Sequence, residues 1–306
     1  MTNHYGSIEA GGTKFVLAIG DEQFNILKTN QIPTTRPEET ITRTIEFFKE
    51  NPVKSLAVGS FGPIDIKPES ATYGYITTTP KAGWANVDLL GKLKAALDIP
   101  MVFTTDVNSS AYGEMIVTGG KSLVYFTIGT GIGGGIIVDG KLVSGKNGGG
   151  GEVGHTKVER NGKLCGCGQD GCWEAYASAT GLIREAQSRL AVNKTNKLYE
   201  RVKGREIEAK DIFDVAKEGD EFALKLVDYE AEYIALGMGN LLNILDPEII
   251  VVGGGVALAG DILFNAINEK LKQYSLPSCL ENLKIVQAQL GNDAGILGAA
   301  YLGMMK

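Results

Sequence analysis

Apolar and polar positions alternate in short blocks at the start of the chain, and the polar interruptions are rich in glycine. Tyr5 to Ile19 forms two apolar runs separated by Gly11-Gly12-Thr13-Lys14. That pattern predicts a β-hairpin, not a strand feeding a helix. It returns about 120 residues later, and two such hairpins suggest two related halves. There Leu123-Val-Tyr-Phe-Thr-Ile128 leads into Gly129-Thr-Gly-Ile-Gly-Gly-Gly135 and leaves through Ile136-Ile-Val138. Between the hairpins the pattern predicts a helix over 38–49, a strand over 55–58, a helix over 89–97 and a strand over 101–104. This is mixed α/β order. Residues 178–245 carry helical periodicity, and Glu248 to Val252 reads as a buried strand ending in Gly253-Gly-Gly255. A helix from Leu258 to Lys272 follows directly. The tail Gly291-Asn-Asp293 to Ala300 reads as a loop and a small-residue helix suited to close packing.

With 306 residues, 43% of them hydrophobic, the chain can bury a large core and is long enough for two domains. The boundary falls near residue 115. Residues 1–115 form the first domain, completed by the helix at 291–306, and 116–290 form the second. The start has no basic segment followed by an apolar one, and no apolar run approaches the roughly 20 residues that span a bilayer. A cytoplasmic location is therefore expected. The net charge of −6, without a long Lys/Arg run, disfavours nucleic acid or an anionic membrane as the partner.

One of two histidines and three of four cysteines fall close together, as His155, Cys165, Cys167 and Cys172. An imidazole and three thiolates form a closed tetrahedral shell for Zn²⁺ with no position open for an activated water, so the ion would be structural. In a reducing setting closely spaced cysteines read as ligands before disulfides, with free thiols as the alternative. Cys279 stands apart and reads as packing.

The 41 glycines are clustered, and three clusters end apolar strands. Successive backbone N–H groups in such turns cradle anions, phosphate above all. Each cluster alone could simply close a hairpin. Thr13 and Thr130 add hydroxyls to the first two, and Gly253-Gly254-Gly255 could pass under an adenosine. Two formal motif matches fail on context. Gly129-x-Gly131-x-x-Gly134 precedes a strand, where a dinucleotide fingerprint needs a helix N-terminus. Gly140-x4-Gly145-Lys146 is followed by Asn147, which lacks the Mg²⁺-binding hydroxyl of a P-loop.

Asp106 lies just past an apolar strand, where open α/β folds bind ligands. It is the candidate general base for a hydroxyl attacking a γ-phosphoryl group, or else the cap of a helix beginning near Ser109. Glu9, beside the first turn, could hold Mg²⁺ directly or through water, or face solvent from its strand. The loops Ser60-Phe-Gly62-Pro63-Ile-Asp65 and Thr78-Thr-Pro80-Lys81-Ala-Gly83-Trp84 suit a sugar-sized ligand, although turn formation and packing also explain them. Glu152 and Glu174 bracket the zinc ligands and can face sugar hydroxyls. His155 can bind metal through one nitrogen and present the other to a neighbour.

These motifs together resemble the ROK family of sugar kinases and sugar-responsive repressors over essentially the whole chain. Glu9-Ala-Gly-Gly-Thr-Lys14 is similar to the family's first phosphate loop, Gly129 to Gly135 to its second, and Gly253-Gly-Gly255 to its adenosine loop. Glu152-x-x-His155 with Cys165-x-Cys167-x4-Cys172 is similar to its zinc and sugar motif. The resemblance implies an actin-like ATPase fold of two ribonuclease H-like domains with the active site in the cleft, commonly as a homodimer. It implies ATP, Mg²⁺ and structural Zn²⁺ as cofactors, and Asp106 as base. The candidate nucleotide contacts are accordingly Gly11, Gly12, Thr13, Lys14, Gly129, Thr130 and Gly131, and the candidate sugar contacts are Gly62, Pro63, Gly83, Trp84, Asn108, Glu152, His155 and Glu174. Glu-Ala-Gly-Gly-Thr-Lys, Ser-Phe-Gly-Pro-Ile-Asp, Thr-Pro-Lys-x-Gly-Trp and Gly-Cys-Trp-Glu-Ala-Tyr-Ala-Ser most resemble the bacterial fructokinase branch. Two positions depart from the pattern of the wider family: many of its members have Asp at Glu9, and many have Asn at Thr105.

The expected activity is ATP-dependent phosphorylation of a hexose, fructose to fructose 6-phosphate, with glucose and mannose as alternative substrates. A sugar-responsive regulator without kinase activity is the alternative of a different class. It would need a helix-turn-helix before the first phosphate loop, and the start near residue 9 leaves no room for one. A non-enzymatic actin-like ATPase does not account for metal ligands flanked by Glu152 and Glu174.

Overall fold

A computed structural model describes residues 3–305. The chain divides into two units, each compact in itself. The first contains the residues up to 121, 135–150 and those from 289 onward; the second contains 122–134 and 151–288. The stretch 135–150 thus groups with the first unit and interrupts what the sequence suggests is one continuous second block. A side chain at Gly135 would run into Ala111 and the Val107 carbonyl, so this backbone lies directly on the Asp106–Thr118 helix.

The first unit is built on a five-stranded sheet. Its order is Ile26–Pro33, Lys14–Gly20, Tyr5–Ala10, Leu56–Ser60 and Met101–Thr105. The first three strands are antiparallel and the remaining pairings parallel. Side chains of a strand alternate between faces, and here both faces are buried. Phe15, Leu17 and Ile19 join Ile8, Phe47, Phe48 and Leu89 in one core, while Val16 and Ala18 meet Ile296 on the opposite face. The same alternation puts Glu9 on the Ile296 face. Glycines let the Ala294–Met304 helix pack tightly there: a side chain at Gly298 would strike the Ser109 carbonyl, and one at Gly113 the Ala294 carbonyl. Buried Glu114 fastens this segment by accepting from the Gln289 and Leu290 N–H groups at 3.1 and 3.0 Å.

The second sheet repeats the arrangement. Its order is Lys141–Leu142, Ile132–Val138, Leu123–Ile128, Ile249–Gly253 and Lys284–Gln287. In both sheets the strands run third, second, first, fourth, fifth in chain order. In the second unit the Glu221–Leu245 helix is central, contacting Ala179–Val192, Ala209–Lys217 and Asp261–Tyr274. Among the described residues no helix is long and apolar enough to cross a membrane.

Two edge strands, Ile26–Pro33 and Lys284–Gln287, were not evident from the sequence pattern, because neither alternates cleanly between buried and exposed positions. Gly253-Gly-Gly255 also leads into a 3₁₀ turn, Gly255–Ala259, before a helix at Asp261–Tyr274, and not straight into a helix from Leu258. Gly260, at φ +71°, separates the two.

Candidate active site

In the first unit the site starts from the strand Met101–Thr105 and the helix it enters. The sequence left Asp106 open as the cap of a helix near Ser109; the helix starts at Asp106 itself, and Thr105 is its cap, accepting from the Asn108 N–H at 3.1 Å. Asp106 therefore keeps its carboxylate in the first helical turn. One oxygen accepts from the Val107 N–H at 2.8 Å, and burial pushes its pKa above the usual aspartate range. Glu9 lies nearby in electrostatic terms. Burial first, then the charge of Asp106, push its pKa up to about 7, with Lys14 opposing and Asp293 adding to the rise. Burial disfavours the charge of both carboxylates, and Asp106 adds to the rise at Glu9, a strain that a hard dication would relieve. The influence of Asp293 on Glu9 was not foreseen, since a lone Asp in a glycine loop carries no pattern of its own.

The first glycine turn is shut by the Gly11 N–H donating to the Lys14 carbonyl at 3.0 Å. Thr34, also unforeseen, holds it from the neighbouring strand end. Its N–H donates to the Thr13 carbonyl at 2.9 Å and its hydroxyl to the Gly11 carbonyl at 2.7 Å. Thr13 and Lys14 are exposed, and Gly12 has open space where a side chain would stand.

The loops proposed for sugar divide into exposed and buried parts. Gly62 and Pro63 are exposed, joined by a cis peptide bond, with the Pro63 carbonyl accepting from the Thr77 N–H and hydroxyl. Gly83 is exposed with φ +80°. Trp84 is a correction: it is fully buried between Phe15 and Phe61, and its ring N–H donates to the Thr35 carbonyl. An indole with its only polar atom spent on backbone is a core residue. Asn108 is also buried, its amide donating to the Thr104 hydroxyl at 3.2 Å.

In the second unit His155, Cys165, Cys167 and Cys172 come together, with their ligating atoms within 4.8 Å of one another. Cys167 and Cys172 Sγ are 3.7 Å apart, and Cys165 Sγ is 3.8 Å from His155 Nδ1. A tetrahedral ion with Zn–S bonds of about 2.3 Å sets sulfurs about 3.8 Å apart, so the donors fit zinc in kind and in spacing. Lys157, within this loop, donates to Cys172 Sγ at 3.1 Å and to the Asp170 carbonyl, placing a cation against the thiol cluster. Lys163 pins the loop outward: its ammonium meets Glu185 and the Tyr229 hydroxyl, both at 2.7 Å, and lies over the rings of Tyr176 and Tyr229.

His155 turns Nε2 toward Glu152 Oε2 at 3.9 Å, leaving Nδ1 to the cysteines. Glu152 is largely exposed. Glu174 behaves differently, accepting from the Ile132 N–H at 2.9 Å through Oε2 while Oε1 lies 3.5 Å from Cys165 Sγ. The second glycine turn, Gly129-Thr130-Gly131, is thus tied to the cysteine segment. Two further bonds secure it, Ala179 N–H to the Gly129 carbonyl and Thr180 hydroxyl to the Thr130 carbonyl, each 2.8 Å. In the third cluster Gly254 has φ +80° and lies against the Ile128 carbonyl, where a side chain would stand 2.4 Å away.

A sequence profile of the ROK family matches residues 5–305. The chain belongs to the ROK family. As a ROK protein it is 47% identical to a fructokinase of Lactococcus lactis subsp. cremoris, over 99% of this chain and 97% of that one. It is 44% identical to a fructokinase of Streptococcus mutans serotype c, over 97% and 96%. Its structure resembles that of a ROK family glucokinase from Streptomyces griseus in complex with glucose and AMPPNP. The TM-score is 0.78 at 30% identity, covering 99% of this chain and 100% of that one. The two like-ordered sheets are accordingly those of the actin-like ATPase fold of ROK sugar kinases.

Proposed function

We propose that this ROK protein is an ATP-dependent hexose kinase whose preferred substrate is fructose, converted to fructose 6-phosphate. The observation that carries the substrate is the 47% identity to a fructokinase over nearly the whole of both chains. The reading draws on residues of both units. Asp106 accepts the proton of the sugar hydroxyl as its oxygen bonds to the γ-phosphorus, and the bond from that phosphorus to the bridging oxygen breaks to release ADP. Burial, which lifts the pKa of Asp106, makes it a stronger base than an exposed aspartate. The turns at 11–14 and 129–131 hold phosphates through backbone N–H groups, and 253–255 faces the adenosine. Glu9 would hold Mg²⁺, which supplies charge neutralisation at the phosphates. His155 and the three cysteines would hold Zn²⁺ as a structural ion, keeping Glu152 and the Nε2 side of His155 available to sugar hydroxyls, together with Glu174. The working form is a cytoplasmic homodimer.

An assay of ADP release over fructose, mannose and glucose tests this. Turnover should require a hexose, with the highest kcat/KM for fructose. A preference for glucose or mannose would leave the kinase reading and remove the substrate assignment. Absence of sugar-dependent turnover, with sugar still bound, would favour a regulator.

A further inference from the structure

We infer that Glu174 is a positioning residue for the second glycine turn, so that the cysteine loop sets nucleotide affinity as well as sugar binding. This rests on the kinase reading above. Glu174 is rigidly mounted, because the preceding Trp173 is fully buried, edge-on to Phe126, with its ring N–H donating to the Tyr233 carbonyl at 2.7 Å. Its two oxygens face two structures. Oε2 accepts from the Ile132 N–H at 2.9 Å, where the turn re-enters its strand, and Oε1 faces Cys165 of the metal-ligand set.

Gly131 shows how tight this junction is. Its φ lies outside the left-handed region, so its backbone conformation does not demand glycine. The demand is spatial: a Cβ there would stand 2.5 Å from Glu174 Oε2. Glycine at 131 lets a carboxylate lie against the turn and hold its exit amide. Movement of the cysteine loop would then move Glu174 and the turn together.

A carboxylate serving only as a sugar ligand would affect sugar KM and nothing in the sugar-free protein. Nucleotide affinity without sugar is therefore the deciding measurement, using a fluorescent ADP analogue on the intact chain, with zinc content determined in parallel. Glu174→Ala should weaken ADP binding about tenfold, the order expected for losing a hydrogen bond to a charged group. Glu174→Gln keeps an acceptor for the Ile132 N–H and should restore most of that affinity. Gly131→Ala, which displaces the carboxylate without removing it, should reproduce the Glu174→Ala loss and carries the test alone if Glu174→Ala fails to fold. Chelation of the metal should weaken sugar-free ADP binding in the same direction. Wild-type ADP affinity in Gly131→Ala, or in folded Glu174→Ala, would overturn the inference while leaving the kinase reading intact. Failure of the wild type to bind ADP at all would overturn the kinase reading first.

Discussion

The two glycine turns that end the two hairpins look alike in sequence and are held by different means. The turn at 11–14 is fixed from within its own sheet, by Thr34 at the end of the adjacent strand. The turn at 129–131 is fixed by Glu174, Ala179 and Thr180, residues that follow directly on the cysteine cluster. One brace is part of the sheet; the other depends on an irregular loop whose shape a metal would complete. A repeated fold can thus present similar turns twice and brace them by different means.

The largest effect that bears on this contrast comes from a residue outside both turns. Asp106→Asn should lower kcat by about 10² to 10⁴ while leaving ADP affinity near wild type, measured by sugar-dependent ADP release and direct binding. If both turns lost affinity in this variant, neither would be independent of the base. The same residue predicts a pH dependence. Its pKa is raised in the fold, so activity should fall as pH drops through that raised value, because the base becomes protonated. Stability moves oppositely. The protonated form is favoured by burial, so its stabilising contribution is full below the unfolded-state pKa and is lost as pH rises through the folded value. Asp106→Asn should therefore raise Tm at neutral pH, and the gain should vanish in acid.

Next in size, Cys172→Ser should abolish stoichiometric zinc and raise the sugar KM by about tenfold or more, while Thr34-braced contacts at the first turn persist. Metal analysis and hydrogen exchange at residues 11–14 would check both halves, and loss of protection there would break the contrast. Lys157→Met removes the cation beside Cys172 and should weaken zinc retention about tenfold, read by competition with a chelator. The smallest effect is expected for Thr34→Val, which removes one hydroxyl bond worth about 1 kcal/mol and should raise the ATP KM a few-fold without changing zinc content.

Much of this was legible in the chain because the signals are local. Hairpins, glycine turns and the Cys/His cluster are short-range patterns, and the cluster residues do come together in space. Trp84 shows where local reading stops. In sequence it is an aromatic in a turn-rich loop, and only the fold shows Phe15, Phe61 and the Thr35 carbonyl enclosing it. Thr34, Asp293 and Lys157 were invisible for the same reason: each acts through a partner set by tertiary geometry. Glu174 was visible as a carboxylate beside ligands, but its bond to Ile132, 42 residues away, was not.

The C-terminal helix has a consequence for how the chain is made. Glu114, on the helix that carries Asp106, takes up two amides 175 and 176 residues further along the chain, and Gly113 and Gly298 bring the two helices into backbone contact. On the ribosome, the helix bearing the base emerges long before its cover does. The second unit, complete by Ala288, has all its residues first. A truncation removing 289–305 would therefore spare the later-encoded unit and unseat the earlier one.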